Sequence, residues 1–111
     1  TLAMDRMHPT LAAYSDGLHP AVLRLVARTV EAAHQHGKWV GICGELGADP
    51  VAVPILVGIG VDELSVSVPA VAPVKAQIRG LSRQAAQKLA GQALACATAA
   101  EVRALGAAAL A

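Results

Sequence analysis

Apolar and polar positions alternate along this chain in two different rhythms. From Pro20 to His36 the positions Val22, Leu25, Val26, Thr29, Val30 and Ala33 recur at spacings of three and four, which predicts one buried helical face. Pro20 suits the first turn of that helix, and Gly37 suits the position just past its end. Lys38 to Ile42 then reads as a short strand that reaches Cys43 at its C-terminal end. Asp49-Pro50 has the character of an N-cap followed by a first-turn proline. The segment 50–59 after it is apolar nearly all round, which predicts a heavily buried helix with Pro54 in or just after its first turn. Gly58 and Gly60 are read as its stop. Glu63 to Ser67 is a second strand candidate, and Val71 to Arg79 a third helix with Pro73 near its start. Ser82 is expected to cap a helix over 83–95. Thr98-Ala-Ala-Glu101 has the capping-box spacing and opens a last helix to about Leu110. Residues 1 to 19, with Pro9, Ser15-Asp16-Gly17 and His19-Pro20, read as loop.

The predicted order is loop, α, β, α, β, α, α, α. Short strands alternating with helices indicate βα units and an α/β fold with a parallel sheet. Two strands do not make a stable sheet by themselves. They fit the last two strands of a larger barrel, and a chain that opens on Thr1 in mid-pattern is read as a piece of a longer protein.

Composition narrows the class. With 55% hydrophobic and 15% charged residues the chain is too apolar for a disordered tail. A net charge of +1 argues against a nucleic-acid surface or a polybasic membrane patch. No apolar run approaches the roughly 20 residues that span a bilayer, and TLAMDRMHP lacks the pattern of a signal peptide. Phe is absent, so Ala, Val and Leu must build the core. Cys43 and Cys96 follow no disulfide framework, which is the pattern of free thiols in a reducing, cytoplasmic setting.

In parallel βα architectures, reactive groups sit at the C-terminal strand ends and in the loops that follow. Cys43 lies at such an end and is followed at once by Gly44-Glu45-Leu46-Gly47-Ala48-Asp49. Read alone, a cysteine there is more often a buried structural thiol. Glu45 is more often a solvated loop acid than a general base. His34 and His36 more often meet terminal helix carbonyls or water than a metal, and with one distant cysteine they lack zinc spacing. No C-x-x-C marks a redox pair.

Taken together the segments say more. TLAMDR, then after 36 intervening residues the cysteine of GKWVGICGELGADP, then GIGVDELSVS and VKAQIR resemble the C-terminal end of enzyme I of the bacterial sugar phosphotransferase system, the phosphoenolpyruvate-protein phosphotransferase family. The stretch DGLHPAVLRLVARTVEAAHQHGKWVG looks closest to the enzyme I module of fructose-specific multiphosphoryl transfer proteins. The resemblance covers nearly all 111 residues. It implies that residues 1–111 are the C-terminal fragment of a phosphoenolpyruvate-binding (βα)₈ TIM barrel that also forms a homodimer interface. It implies that Cys43 is the proton donor, that Arg6 binds the phosphate of phosphoenolpyruvate, and, more weakly, that Gly44 and Glu45 belong to the substrate loop. It places the Mg2+ ligands, two further substrate arginines and the phosphorylated histidine upstream of Thr1, and it implies a histidine phosphocarrier as partner. The sequence departs from the family pattern at Met7, where a glycine is common, and at Gly47-Ala48.

The chemistry accounts for a cysteine at this joint. Once phosphoenolpyruvate has given up its phosphoryl group, an enolate remains, and protonation at its methylene carbon traps it as pyruvate. A thiol with an ordinary pKa of ~8.5 is mostly protonated at pH 7 and can deliver that proton. Ile42 and Leu46 are expected to form an apolar wall that keeps the thiol neutral, and Gly44 and Gly47 to admit close approach of the ligand. Arg6 supplies a planar fork for phosphate oxygens. Two alternatives stay open: a fragment of pyruvate phosphate dikinase or phosphoenolpyruvate synthase, and a catalytically inert, self-associating barrel fragment.

Overall fold

The computed structural model describes residues 1–5 and 7–110. It contains five helices, α1 (Pro20–Gln35), α2 (Ala52–Ile59), α3 (Val68–Gly80), α4 (Arg83–Ala95) and α5 (Ala99–Leu110), and two strands, β1 (Gly41–Cys43) and β2 (Glu63–Ser65). The strands pair in parallel, with Gly41 opposite Glu63, Ile42 opposite Leu64 and Cys43 opposite Ser65. The α/β order expected from the sequence is present. None of the described helices is long and apolar enough to cross a membrane.

Helix ends follow the local chemistry. The His19 imidazole accepts from the Ala21 amide at the start of α1, and Pro20 fills the first turn. At the other end Gly37 has φ +66°, and the amides of Gly37 and Lys38 donate to the carbonyls of His34 and Ala33. This is the Schellman arrangement, which favours glycine at the left-handed position. Gly60, at φ 100°, ends α2 the same way. Ser82 accepts from the Ala85 amide at the start of α4. Before α5, Thr98 accepts from the Glu101 amide while the Glu101 carboxylate reaches back to the Ala97 amide, so the predicted capping box forms.

Several elements differ from the sequence reading. β1 covers only Gly41–Cys43 rather than 38–42, because Val40 bonds outside the ladder: its amide donates to the Asp62 carboxylate and its carbonyl accepts from Asp62 and Glu63. β2 likewise stops at Ser65. α2 starts at Ala52, since Pro50 and Val51 form a turn in which Asp49 caps the Val51 amide. α3 starts at Val68, with Pro69 in its first turn, which leaves Pro73 inside the helix. Gly58 does not end α2; it lies within it.

The face of α1 is also rotated from the predicted one. Leu23 is fully buried, whereas Leu25 is 49% exposed. In a chain this rich in Ala, Val and Leu, neighbouring stripes of one helix are both apolar, and periodicity does not choose between them.

The core joins Leu18 and Leu23 to Ala52, Ile55, Leu56, Leu89, Ala93 and Val102. Burying each of its larger side chains contributes about 1.5–3 kcal/mol. Small residues set the spacing: a Cβ at Gly58 would stand 2.0 Å from the Ala86 carbonyl oxygen of α4. Long-range side chains satisfy backbone groups that the helices leave open. Pro54 has no N–H for the Pro50 carbonyl, which accepts from Gln77 instead at 2.7 Å. Arg24 of α1 donates to the carbonyls of Leu94 and Cys96 at the end of α4.

Candidate active site at the strand tips

The two strands have one face against the core and one face open. Ile42 and Leu64, opposite each other, pack on the core cluster. Side chains alternate along a strand, so the flanking pairs, Gly41 with Glu63 and Cys43 with Ser65, share the other face, and all four are exposed. The Cys43 thiol therefore stands free on the side away from the helices, at the C-terminal end of its strand. Among the described residues it is not lost in helix packing.

Gly44 turns the chain immediately after the thiol, with φ 91° and ψ −173°. This conformation is essentially reserved for glycine. Glu45 to Ala48 then make one turn of 3₁₀ helix. Gly47 is buried inside that turn, where an added Cβ would meet Val66 Cγ1 at 3.4 Å and the Ser65 carbonyl at 3.6 Å. Its close approach is thus to the tip of β2 rather than the expected one to ligand. Ile42 and Leu46 also differ from expectation. Both pack on the core, with Leu46 covering Gly17, and Ile42 lies on the strand face opposite to the thiol.

A cleft of about 480 Å³ opens between this turn and the start of α3. It is lined by Gly44, Glu45, Ala48, Asp49 and Ser65 to Ser67. Cys43 lies outside this lining but adjoins it through Gly44. Gly44 and Glu45, the two loop residues expected near substrate, therefore do face a common opening. Arg6, the expected phosphate ligand, lies outside the described residues.

Three acidic or basic groups hold the far end of the turn. Asp49 Oδ1 accepts from the Val51 amide, and Asp49 Oδ2 accepts from Arg103 Nη1 at 3.0 Å. Arg103 also donates through Nε and Nη2 to both oxygens of Asp16, whose Oδ1 in turn accepts from the Leu18 amide. The Arg103 hydrogen bonds hold the Asp16 carboxyl below its ordinary range, and the same contacts, Asp16 first, push the guanidinium higher. No periodicity or motif signals contacts across 54 and 87 residues of sequence. Ser65 was missed for a related reason: its pairing with Cys43 depends on strand register.

The histidines sit apart from the strand tips. His36 Nδ1 lies 2.9 Å from the Ala32 carbonyl, as expected at a helix end. His34 pairs with Asp62, 2.7 Å away, which lowers the Asp62 pKa. Among the described residues no three His, Cys, Asp or Glu side chains converge on a metal position. The implied Mg2+ therefore finds no ligand set among them.

An α/β segment with an open strand-tip face defines the class of the chain. The family can also be identified: residues 1–83 match the model of the PEP-utilising enzyme, PEP-binding domain, and the chain belongs to that family. It is 60% identical over 104 residues to a multiphosphoryl transfer protein of Rhodobacter capsulatus, covering 94% of this chain and 13% of the relative. It is 46% identical over 103 residues to multiphosphoryl transfer protein 1 of Escherichia coli K12, covering 93% and 12%. It is 42% identical over 102 residues to a phosphoenolpyruvate-protein phosphotransferase of Geobacillus stearothermophilus, covering 92% and 18%. The chain thus spans less than a fifth of the length of these relatives.

Proposed function

We propose that this chain is the C-terminal segment of the phosphoenolpyruvate-binding (βα)₈ barrel of a phosphoenolpyruvate-protein phosphotransferase, and that Cys43 is its proton donor. In this reaction the phosphoryl group leaves the enol oxygen of phosphoenolpyruvate for a protein histidine. The electron pair of the enolate so released takes the proton of the Cys43 thiol at C3. Pyruvate departs, and the thiolate regains a proton from solvent. Proton delivery to carbon needs an accessible donor fixed near one face of the planar enolate. The observation that carries the reading is the placement of the thiol at the C-terminal tip of β1, on the strand face turned away from the helices, which in a barrel is the inner face. The names of the relatives point to the same reaction.

Gly44 and Glu45 bound the substrate cleft in this account, and Arg6 grips the phosphate. Mg2+, bound by residues outside this segment, would neutralise substrate charge. A histidine phosphocarrier receives the phosphoryl group in turn, and the complete protein is a cytoplasmic homodimer. The relatives' names favour this reading over a dikinase or a synthase. The test is Cys43→Ala in the full-length protein, with pyruvate formation followed. A fall of at least about 100-fold is expected for loss of a positioned acid. Near-normal pyruvate formation would remove the proton-donor role.

A second reading concerns the segment by itself. Trp39 is 68% exposed and Val68 87% exposed, and a two-stranded sheet leaves an outer edge on each strand. Such surfaces favour self-association. Dimers or larger species are expected for the isolated segment by light scattering; a compact monomer at tens of micromolar would contradict this.

A further inference from the structure

Arg103 lies on α5, beyond the residues that match the family model. Its guanidinium nevertheless reaches two loops at once. One carries Asp16, in the turn before α1. The other ends at Asp49 and begins at the Cys43 thiol. Every nitrogen of the guanidinium is committed, and the fork meets Asp16 through two parallel bonds. Such a bidentate pair fixes orientation as well as distance.

The helix beneath it is itself well seated. Val102 is fully buried, and a Cβ at Gly106 would lie 2.6 Å from Val51 Cγ1 and 3.0 Å from the Val51 carbonyl. α5 therefore rests directly on the turn that leads from Asp49 into α2. The loop contributes less to its own stability. Two backbone bonds at its ends, from Gly47 to Gly44 and from Asp49 to Leu46, are 3.3 Å long. Its first residue after the thiol is a glycine with φ 91°. Leu46 and Gly47 anchor the middle of the turn on the core and on β2, and Asp49 is where its far end is held.

We propose that Arg103 is a positioning residue for the Cys43 loop: by joining Asp16 to Asp49 it fixes the far end of residues 44–49, so that α5 sets the geometry in which the thiol meets substrate. This rests on the proposed role of Cys43, but the contact itself can be tested separately. A donor displaced by about 1 Å can lose some 100-fold in rate without losing substrate affinity. The signature of Arg103 is thus a lower kcat with an unchanged KM.

The experiment uses the full-length protein with Arg103→Gln and, as a second route to the same contact, Asp16→Asn. Amide hydrogen exchange is read over 45–51, and kcat and KM for phosphoenolpyruvate are measured in parallel. Exchange in that segment is expected to rise about tenfold or more in both variants, as a locally held loop is released. In both, kcat is expected to fall about 10- to 100-fold, with KM changed less than about twofold. Arg103→Lys should recover only part of kcat, because an ammonium cannot reproduce the fork. Unchanged exchange over 45–51 would overturn the inference and leave the Cys43 reading intact. So would a lower thermal midpoint with unchanged kcat and KM, the mark of a strut that only stabilises. Active Cys43→Ala would instead remove the proton-donor role while leaving the exchange result on Arg103 standing.

Discussion

The contact between α2 and α4 and the open face of β1 and β2 are built by opposite means. Between the helices, Gly58 lets α2 approach Ala86 and Ala90 of α4 so closely that a single added methyl has no room. At the strand tips Gly44 has nothing within 4 Å of where a Cβ would go, and Cys43 and Ser65 are exposed. Both regions depend on glycine, one for lack of space and the other for lack of an alternative backbone conformation. The first region supplies stability. The second contributes little packing within this segment and presents Cys43 on the strand face away from the helices.

Substitutions can separate the two. Gly58→Ala should be the most damaging, since the two nearest atoms are Ala86 backbone and cannot move aside; a loss of about 3 kcal/mol in urea unfolding is expected. Gly44→Ala meets no clash but must hold φ near 91°, and a loss of about 1–3 kcal/mol is expected by the same measurement. If Gly44→Ala proved the costlier of the two, the contrast between packing and conformation would be wrong. Thr98→Ala removes the cap of α5 and should lose about 1 kcal/mol.

A smaller effect concerns acid. The Asp16 carboxyl is held below its ordinary value by Arg103, so its contribution to stability is complete above about pH 4, the range of a free carboxyl, and is lost as pH falls through its folded value. The thermal midpoint should therefore drop more steeply below about pH 4 in the wild type than in Arg103→Gln. Equal slopes would mean that the pair contributes nothing to folding. In the isolated segment Cys43→Ala should change stability least, by no more than about 0.5 kcal/mol, because the thiol is exposed there.

The same contrast explains what could be read from the sequence. Caps, Schellman glycines and the apolar run over 50–59 are local signals, and the helices they predict are present. The Cys-Gly-Glu-Leu segment at the end of a strand marked the candidate site, and its cysteine is accessible. What was not legible depends on contacts distant in sequence. The buried stripe of α1 was set by α2 and α4, which a run of interchangeable small apolar residues does not reveal. The start of α3 turned on which of Pro69 and Pro73 occupies the first turn. Gly47 looked like a ligand-facing glycine until the tip of β2 was seen against it. The link from Arg103 to Asp16 and Asp49 joins three segments that share no motif.

Hydrogen delivery to C3 can be followed directly. Phosphoenolpyruvate carrying deuterium stereospecifically at C3 is turned over by the full-length protein in tritiated water, and the chirality of the pyruvate methyl group is determined. A fixed thiol at position 43 predicts a single methyl configuration from the wild type, and its loss together with the rate in Cys43→Ala. A racemic methyl group from the wild type, or an unchanged rate and configuration in the variant, would contradict the account.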